Sequence, residues 1–194
     1  MNMRFFSSYL IVFLSSYFFC SHLSAASTGT LTIKFGQTTE DTFTSTHPEA
    51  VKVGVNDALG GNIYKEMPND NKEVNREIVF EGLKNVLILF DKNKALTALQ
   101  LEFKGDYFGM LSKLLAKKYT AGIKKTSFIG SSYMALSNEG VSIYLMRSYF
   151  FSNTSLLFIK TKVKDEILTT APEDILGDEE ETLDYIVQRS FSAI

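Results

Sequence analysis

Residues 85–119 read NVLILFDKNKALTALQLEFKGDYFGMLSKLLAKKY, and the changes of period along this stretch decide the fold. Val86, Leu87, Ile88, Leu89 and Phe90 form a continuous apolar run bounded by polar residues. It is too short for an ordinary helix and suits a central strand covered on both faces. Asp91 to Lys94 is a polar break in which Asn93 is placed to take the left-handed conformation of a hairpin loop. From Ala95 the positions Thr97, Leu99, Leu101 and Phe103 alternate with Gln100 and Glu102, which predicts a strand with one face on a core and the other in water. Gly105 breaks that strand and Asp106 is placed to cap a helix. Tyr107, Phe108, Met110, Leu111, Leu114, Leu115 and Tyr119 then recur at helical spacing, with Ser112, Lys113 and Lys117 opposite them. Gly109 costs that helix about 1 kcal/mol relative to alanine and marks either close packing or simple tolerance.

Upstream, Met1 to Arg4 is a short basic segment, Phe5 to Cys20 is apolar and broken only by serines, and Leu23-Ser24-Ala25-Ala26 supplies small residues. This is the pattern of a cleaved export signal over residues 1–26, too short an apolar run for a membrane span. The expectation is a single exported domain over residues 27–194, periplasmic or secreted, with no transmembrane anchor in the mature chain. Phe18-Phe19 ahead of Cys20 argues against a lipid-acylated cysteine. Cleavage removes Cys20 and His22, leaving no cysteine and one histidine, His47, so the fold must rest on burial of its apolar residues, 45% of the chain, and not on disulfides. Loss of Arg4 moves the net charge from −2 to −3, a mild value that offers no warrant for nucleic-acid binding. A disulfide-free exported chain suits a bacterial envelope.

Along the rest of the chain, Thr30 to Phe35 alternates as a short strand, and Thr38 or Thr39 is placed to cap a helical turn closed by Pro48. Val51, Val53 and Val55 suggest a strand, with Gly60-Gly61 turning it toward Ile63-Tyr64. Met67 to Arg76 reads as a surface loop and Ile78 to Phe80 as an edge strand. Phe128 to Leu136, Val141 to Met146 and Leu156 to Ile159 form a three-stranded meander, and Leu183, Ile186, Val187, Phe191 and Ile194 a closing helix behind the acidic run Asp178 to Glu181. No internal repeat is legible. The fold class expected is α+β: one antiparallel sheet in hairpin and meander halves, packed by a central and a C-terminal helix.

Common chemistries lack their residues. There is no HExxH, nucleophile elbow, Ser-x-x-Lys, dinucleotide or Walker pattern, and one histidine without thiols does not build the usual zinc site. His47 in Thr46-His47-Pro48 reads as a solvated loop residue, and Asp70-Asn71 lacks the rest of a calcium loop. No catalytic residue, metal or cofactor is assigned. Two features suit binding. Lys113, Lys117, Lys118, Lys124 and Lys125 gather positive charge on and after the central helix, as an acidic partner or anionic surface would require. Tyr133, Tyr144, Tyr149, Phe150, Phe151 and Phe158 make the meander aromatic, as a groove for a lipid or peptide would require, with Tyr133, Tyr144, Tyr149 and Phe151 its candidate lining. The bland alternatives are a solvated helix face and core packing.

Phe35-Gly36-Gln37-Thr38-Thr39-Glu40, a glycine and a short acidic turn ahead of a β-hairpin, resembles small exported bacterial α+β domains, namely the outer-membrane assembly lipoproteins and the β-lactamase-inhibitor-protein-like group. The chain departs from them by lacking a lipobox and the inhibitor's disulfides, so neither lipid anchoring nor lactamase inhibition carries over. The resemblance implies a non-enzymatic protein in which a helix-packed sheet presents a surface to a protein of the envelope or the exterior. The alternative is a carrier of a small hydrophobic or lipid ligand.

Overall fold

The computed structural model describes residues 33–67, 82–125, 131–148 and 153–193. In chain order these form α1 (Glu40–Thr46), β1 (Val51–Val55), β2 (Asn62–Glu66), β3 (Leu83–Phe90), β4 (Leu96–Phe103), α2 (Phe108–Ala116) and β5 (Thr120–Lys125). There follow β6 (Ser132–Asn138), β7 (Val141–Arg147), β8 (Thr154–Lys160), α3 (Thr161–Leu168), a 3-10 turn (Ile175–Gly177) and α4 (Glu179–Phe191). The strands make one eight-stranded sheet of order β1-β2-β3-β4-β8-β7-β6-β5. Every neighbour is antiparallel. This is the α+β class with a single sheet that the residue pattern implies.

The order of elements repeats. A helix followed by a four-stranded meander occurs twice, as α1 with β1–β4 and as α2 with β5–β8, and the last strands of the two halves meet at Leu99↔Phe158 and Leu101↔Leu156. The repeat escapes the residues because residues 67–82 separate β2 from β3, whereas only Glu139 and Gly140 separate β6 from β7. Glu139 and Gly140, both with positive φ (40° and 81°), make the tight two-residue hairpin whose twist matches the strands.

Period-two alternation assigns side chains to two cores. On one face, Val86, Ile88, Leu99, Leu101, Phe103, Met134, Leu136, Ile143, Leu145, Leu156 and Phe158 pack against Phe43 of α1 and Phe108, Leu111 and Leu115 of α2. On the other, Ile63, Leu89, Ala98, Leu157 and Ile159 are covered by Ile167 of α3 and Leu183 and Ile186 of α4. The Gln100 face of β4 therefore does not simply meet water: Ala98 and Gln100 are buried, and only Glu102 of that row is half-exposed. The C-terminal helices, folding back over the sheet, are the reason.

Four further expectations change. In the β3–β4 turn Lys94, not Asn93, carries the positive φ of 62°, because Asp91 Oδ1 accepts from the Asn93 and Ala95 amides and passes the reversal on by one residue. Asp106 is one residue too early to be the N-cap of α2, which is Tyr107, yet its Oδ1 still accepts from the Phe108 amide and its Oδ2 pairs with Arg147. Ile33 to Phe35 are not strand but turn at Gly36, where φ is 81°, and pack Ile33 and Phe35 against the first core. The C-terminal meander has a fourth strand, β5, and is followed by α3. β5 lacks alternation because all its residues are exposed, and α3 buries only Ile167. By contrast Thr39 caps α1 through a reciprocal bond pair with Thr42, and Asp178 caps α4 through the Glu180 and Glu181 amides. Residues 1–26 of the expected signal, Thr30 to Thr32 of the expected first strand, residues 68–76 of the expected loop, Ile78 to Phe80, residues 128–130 and Ile194 lie outside the described residues.

Candidate functional site

The rotation of α2 is fixed by Phe108, Leu111 and Leu115, which are buried against the sheet, so Met110, Lys113 and Lys117 form an outward stripe at the same spacing. The helix ends at Ala116 with Lys117 as its C-cap, and Tyr119 anchors the turn by packing edge-on against Phe158 at 6.4 Å between ring centres. That turn delivers β5 to the sheet edge beside β6, with a bulge between Ala121 and Lys124. Ile123 is 59% exposed on β5 and Met110 42% exposed in the α2 stripe, so each of these two elements presents one large apolar side chain in the open.

The five lysines are not equivalent. Lys113, Lys117, Lys124 and Lys125 are exposed. Lys124 leans onto α2, with Nζ 3.4 Å from Ser112 Oγ and 5.9 Å from the centre of the Phe108 ring. Lys124 therefore lies on the α2 side of the sheet, the side on which Lys113 and Lys117 stand exposed. Lys125, the next residue on the strand, lies on the other side of the sheet, where its charge reaches Asp178 at the start of α4. The Asp178 carboxyl is held below the usual carboxylate range by the Glu181 and Glu180 amides, with Lys125 adding to them. Lys118 is half-buried, its Nζ 5.4 Å from the Tyr119 ring centre, and burial pulls its ammonium below the usual lysine range.

The aromatic candidates divide differently. Tyr133 pairs with Met146 and Tyr144 with Ala135, which makes the two tyrosines diagonal neighbours on the α3/α4 face. Tyr133 is 8% exposed, and burial together with the neighbouring Glu179 carboxylate pushes its phenol up to about 12. Tyr144 is half-buried against the second core, and burial raises its phenol while Lys164 pulls the other way. Phe158 belongs to the opposite face, so the described rings do not all share one face of the sheet. Tyr149, Phe150 and Phe151 lie outside the described residues.

A polar cluster under α1 goes unread in the sequence. Glu40, 7% exposed at the start of α1, accepts hydrogen bonds of 2.6 Å from Asn62 Nδ2 and from the Tyr64 hydroxyl through one carboxylate oxygen. Burial first, then that bond to Glu40, pushes the Tyr64 phenol up to about 12, so it stays a donor at neutral pH. His47 is not the solvated loop residue expected: it stacks on Phe43 at 4.7 Å, and its Nδ1 lies 3.2 Å from Glu66 Oε2. These contacts tie both ends of α1 to β2, a structural role. The legible signal was Asn62-x-Tyr64, which puts two hydrogen-bonding side chains on one face of a strand.

Among the described residues no group of three or more His, Cys, Asp and Glu is placed to hold a metal ion, and no helix is long and apolar enough to cross a membrane. No protein-family model matches the chain, and neither curated proteins nor solved structures give a match.

Proposed function

We propose that the chain is an exported, non-enzymatic binding protein of inhibitor, immunity or envelope-accessory type, acting in the periplasm or outside the cell. The observation that supports it is the α2–β5 side of the sheet, where exposed Met110 shares a stripe with Lys113 and Lys117, Lys124 reaches toward the same helix, and exposed Ile123 stands on the edge strand itself. Apolar anchors within a charged rim are the usual anatomy of a protein interface, and the positive charge selects an acidic partner. The rival reading, a lipid carrier, rests on aromatic residues of which Tyr133 and Tyr144 are packed against the helices and Phe158 is buried on the far face.

The test compares the wild-type protein with a variant carrying Lys113→Glu, Lys117→Glu, Lys124→Glu and Lys125→Glu, leaving half-buried Lys118 in place and checking the fold by circular dichroism. Each is immobilised, exposed to an extract of the host envelope, and the bound proteins are identified by mass spectrometry. One protein retained stoichiometrically by the wild type, rebinding when purified and lost with the variant, is the expected result. Equal retention by both, or no protein retained while lipid co-purifies in native mass spectrometry, would overturn the reading.

A further inference from the structure

The sheet has two edges, β1 and β5, and among the described residues each pairs on one side only. A strand's unpaired amides and carbonyls form a template for an incoming extended segment. All six residues of β5 are exposed, and among the described residues no second strand covers that template. Lysines and a bulge on an edge ordinarily discourage pairing, and they do so here against a second copy of this chain, since β5 beside β5 would gather two copies of Lys124 and Lys125 on one short edge. The same charges favour an acidic strand.

The two sides of β5 differ. On the α2 side Lys124 is joined by Lys113 and Lys117; on the other, Lys125 faces Asp178, the first of the four exposed acids Asp178 to Glu181. A strand alternates its side chains between the two sides, so one that adds to β5 meets basic ground with every second residue and acidic ground with the others.

We propose that β5 is a strand-addition site for an extended segment of a partner protein that carries Asp or Glu at alternate positions, with neutral or basic residues between. This rests on the binding reading above and specifies its mode: backbone pairing supplies the attachment, and the α2 lysines select the acidic face.

The test uses synthetic peptides of about eight residues, the length of an ordinary strand. One alternates Glu with Thr and Val; a second has the same composition with its Glu residues in a block; two more repeat the first with one or the other alternate set of backbone amides methylated. Binding to the full protein is followed by titration and by amide hydrogen exchange. The alternating peptide is expected to bind, to slow exchange within Thr120–Lys125, to lose about tenfold or more when one set of amides is methylated and little when the other is, and to weaken against K113E/K124E. No binding by that peptide, equal binding by the block peptide, or protection at Val51–Val55 instead would overturn the proposal. Lysine-dependent binding that survives both methylations rejects strand addition and leaves the binding reading standing; binding indifferent to the lysines removes both.

Discussion

Asn56 is the joint between the start of the sheet and the end of the chain, and its removal should be felt out of proportion to its size. The side chain is 1% exposed. Its Nδ2 donates to the carbonyls of Arg189 (2.7 Å), Ser190 (3.0 Å) and Ser192 (3.3 Å), which the last turn of α4 leaves without helical partners. Its Oδ1 accepts from the amides of Ala58 (3.1 Å) and Leu59 (2.6 Å). Asn56→Ala removes both sets. With about 1 kcal/mol for each good bond, and more where a buried group is left unpaired, the loss comes to about 3 kcal/mol. Asn56→Asp separates the halves, because it keeps the acceptor for Ala58 and Leu59 but turns a carboxylate toward three carbonyls at the negative end of a helix. That variant should be at least as unstable at neutral pH, by about 4 kcal/mol. Its folded-state carboxyl is then raised above the unfolded value of about 3.9, so the native state holds the proton more tightly and the deficit shrinks as pH falls. Urea unfolding followed by circular dichroism measures both. At about 1–3 kcal/mol per molar urea, the alanine variant's midpoint drops by about 1–3 M. An alanine midpoint within about 0.3 M of wild type, or an aspartate deficit indifferent to pH, would refute the reasoning.

Two other perturbations follow from equally local geometry. A Cβ at Gly61 would lie 1.7 Å from the Phe90 carbonyl oxygen, whereas one at Gly109 meets nothing within 4 Å; Gly61→Ala should therefore cost about 3 kcal/mol and Gly109→Ala add about 1 kcal/mol. Thermal melts that move both variants in one direction would contradict this. The Tyr64 phenol, at about 12 in the folded state against about 10 unfolded, contributes stability that is whole below pH 10 and lost as pH rises through 12. Tyr64→Phe should flatten part of that alkaline decline in urea midpoints measured against pH. Tyr133, also at about 12, accounts for a further share, and a decline unchanged by Tyr64→Phe would show the Tyr64 assignment to be wrong.

The parts of the fold that were legible are those whose own residues carry the period. Val86 to Phe90, the alternation from Thr97 to Phe103, and the helical recurrence of Phe108, Leu111 and Leu115 each state their environment locally, and the elements stand where they point. What was not legible depends on residues distant in the chain. Gln100 reads as a solvent position and is buried because α3 and α4 fold back over the sheet. β5 shows no alternation because an edge strand with both sides exposed has no reason to alternate. The lysines were visible as charges, but their division was not: which of two adjacent lysines meets Ser112 and which meets Asp178 is set by the bulge and by the position of α4. Glu40 looked like an ordinary acid at a helix start until β2 brought Asn62 and Tyr64 beneath it.

The seam between the halves also governs the order in which the molecule is able to assemble. β4 and β8 lie side by side at the middle of the sheet, yet Leu101 and its partner Leu156 are 156 − 101 = 55 residues apart in the chain. Each strand of the first meander finds a neighbour as soon as it emerges, except on the far side of β4, which waits for the final strand of the second. Until residue 160 has been made, the most fully buried of the described strands is therefore an edge, and the centre of the sheet is the last part to close. In this chain the vulnerable interval of folding is dictated by topology: the growing molecule carries its future core as an open border.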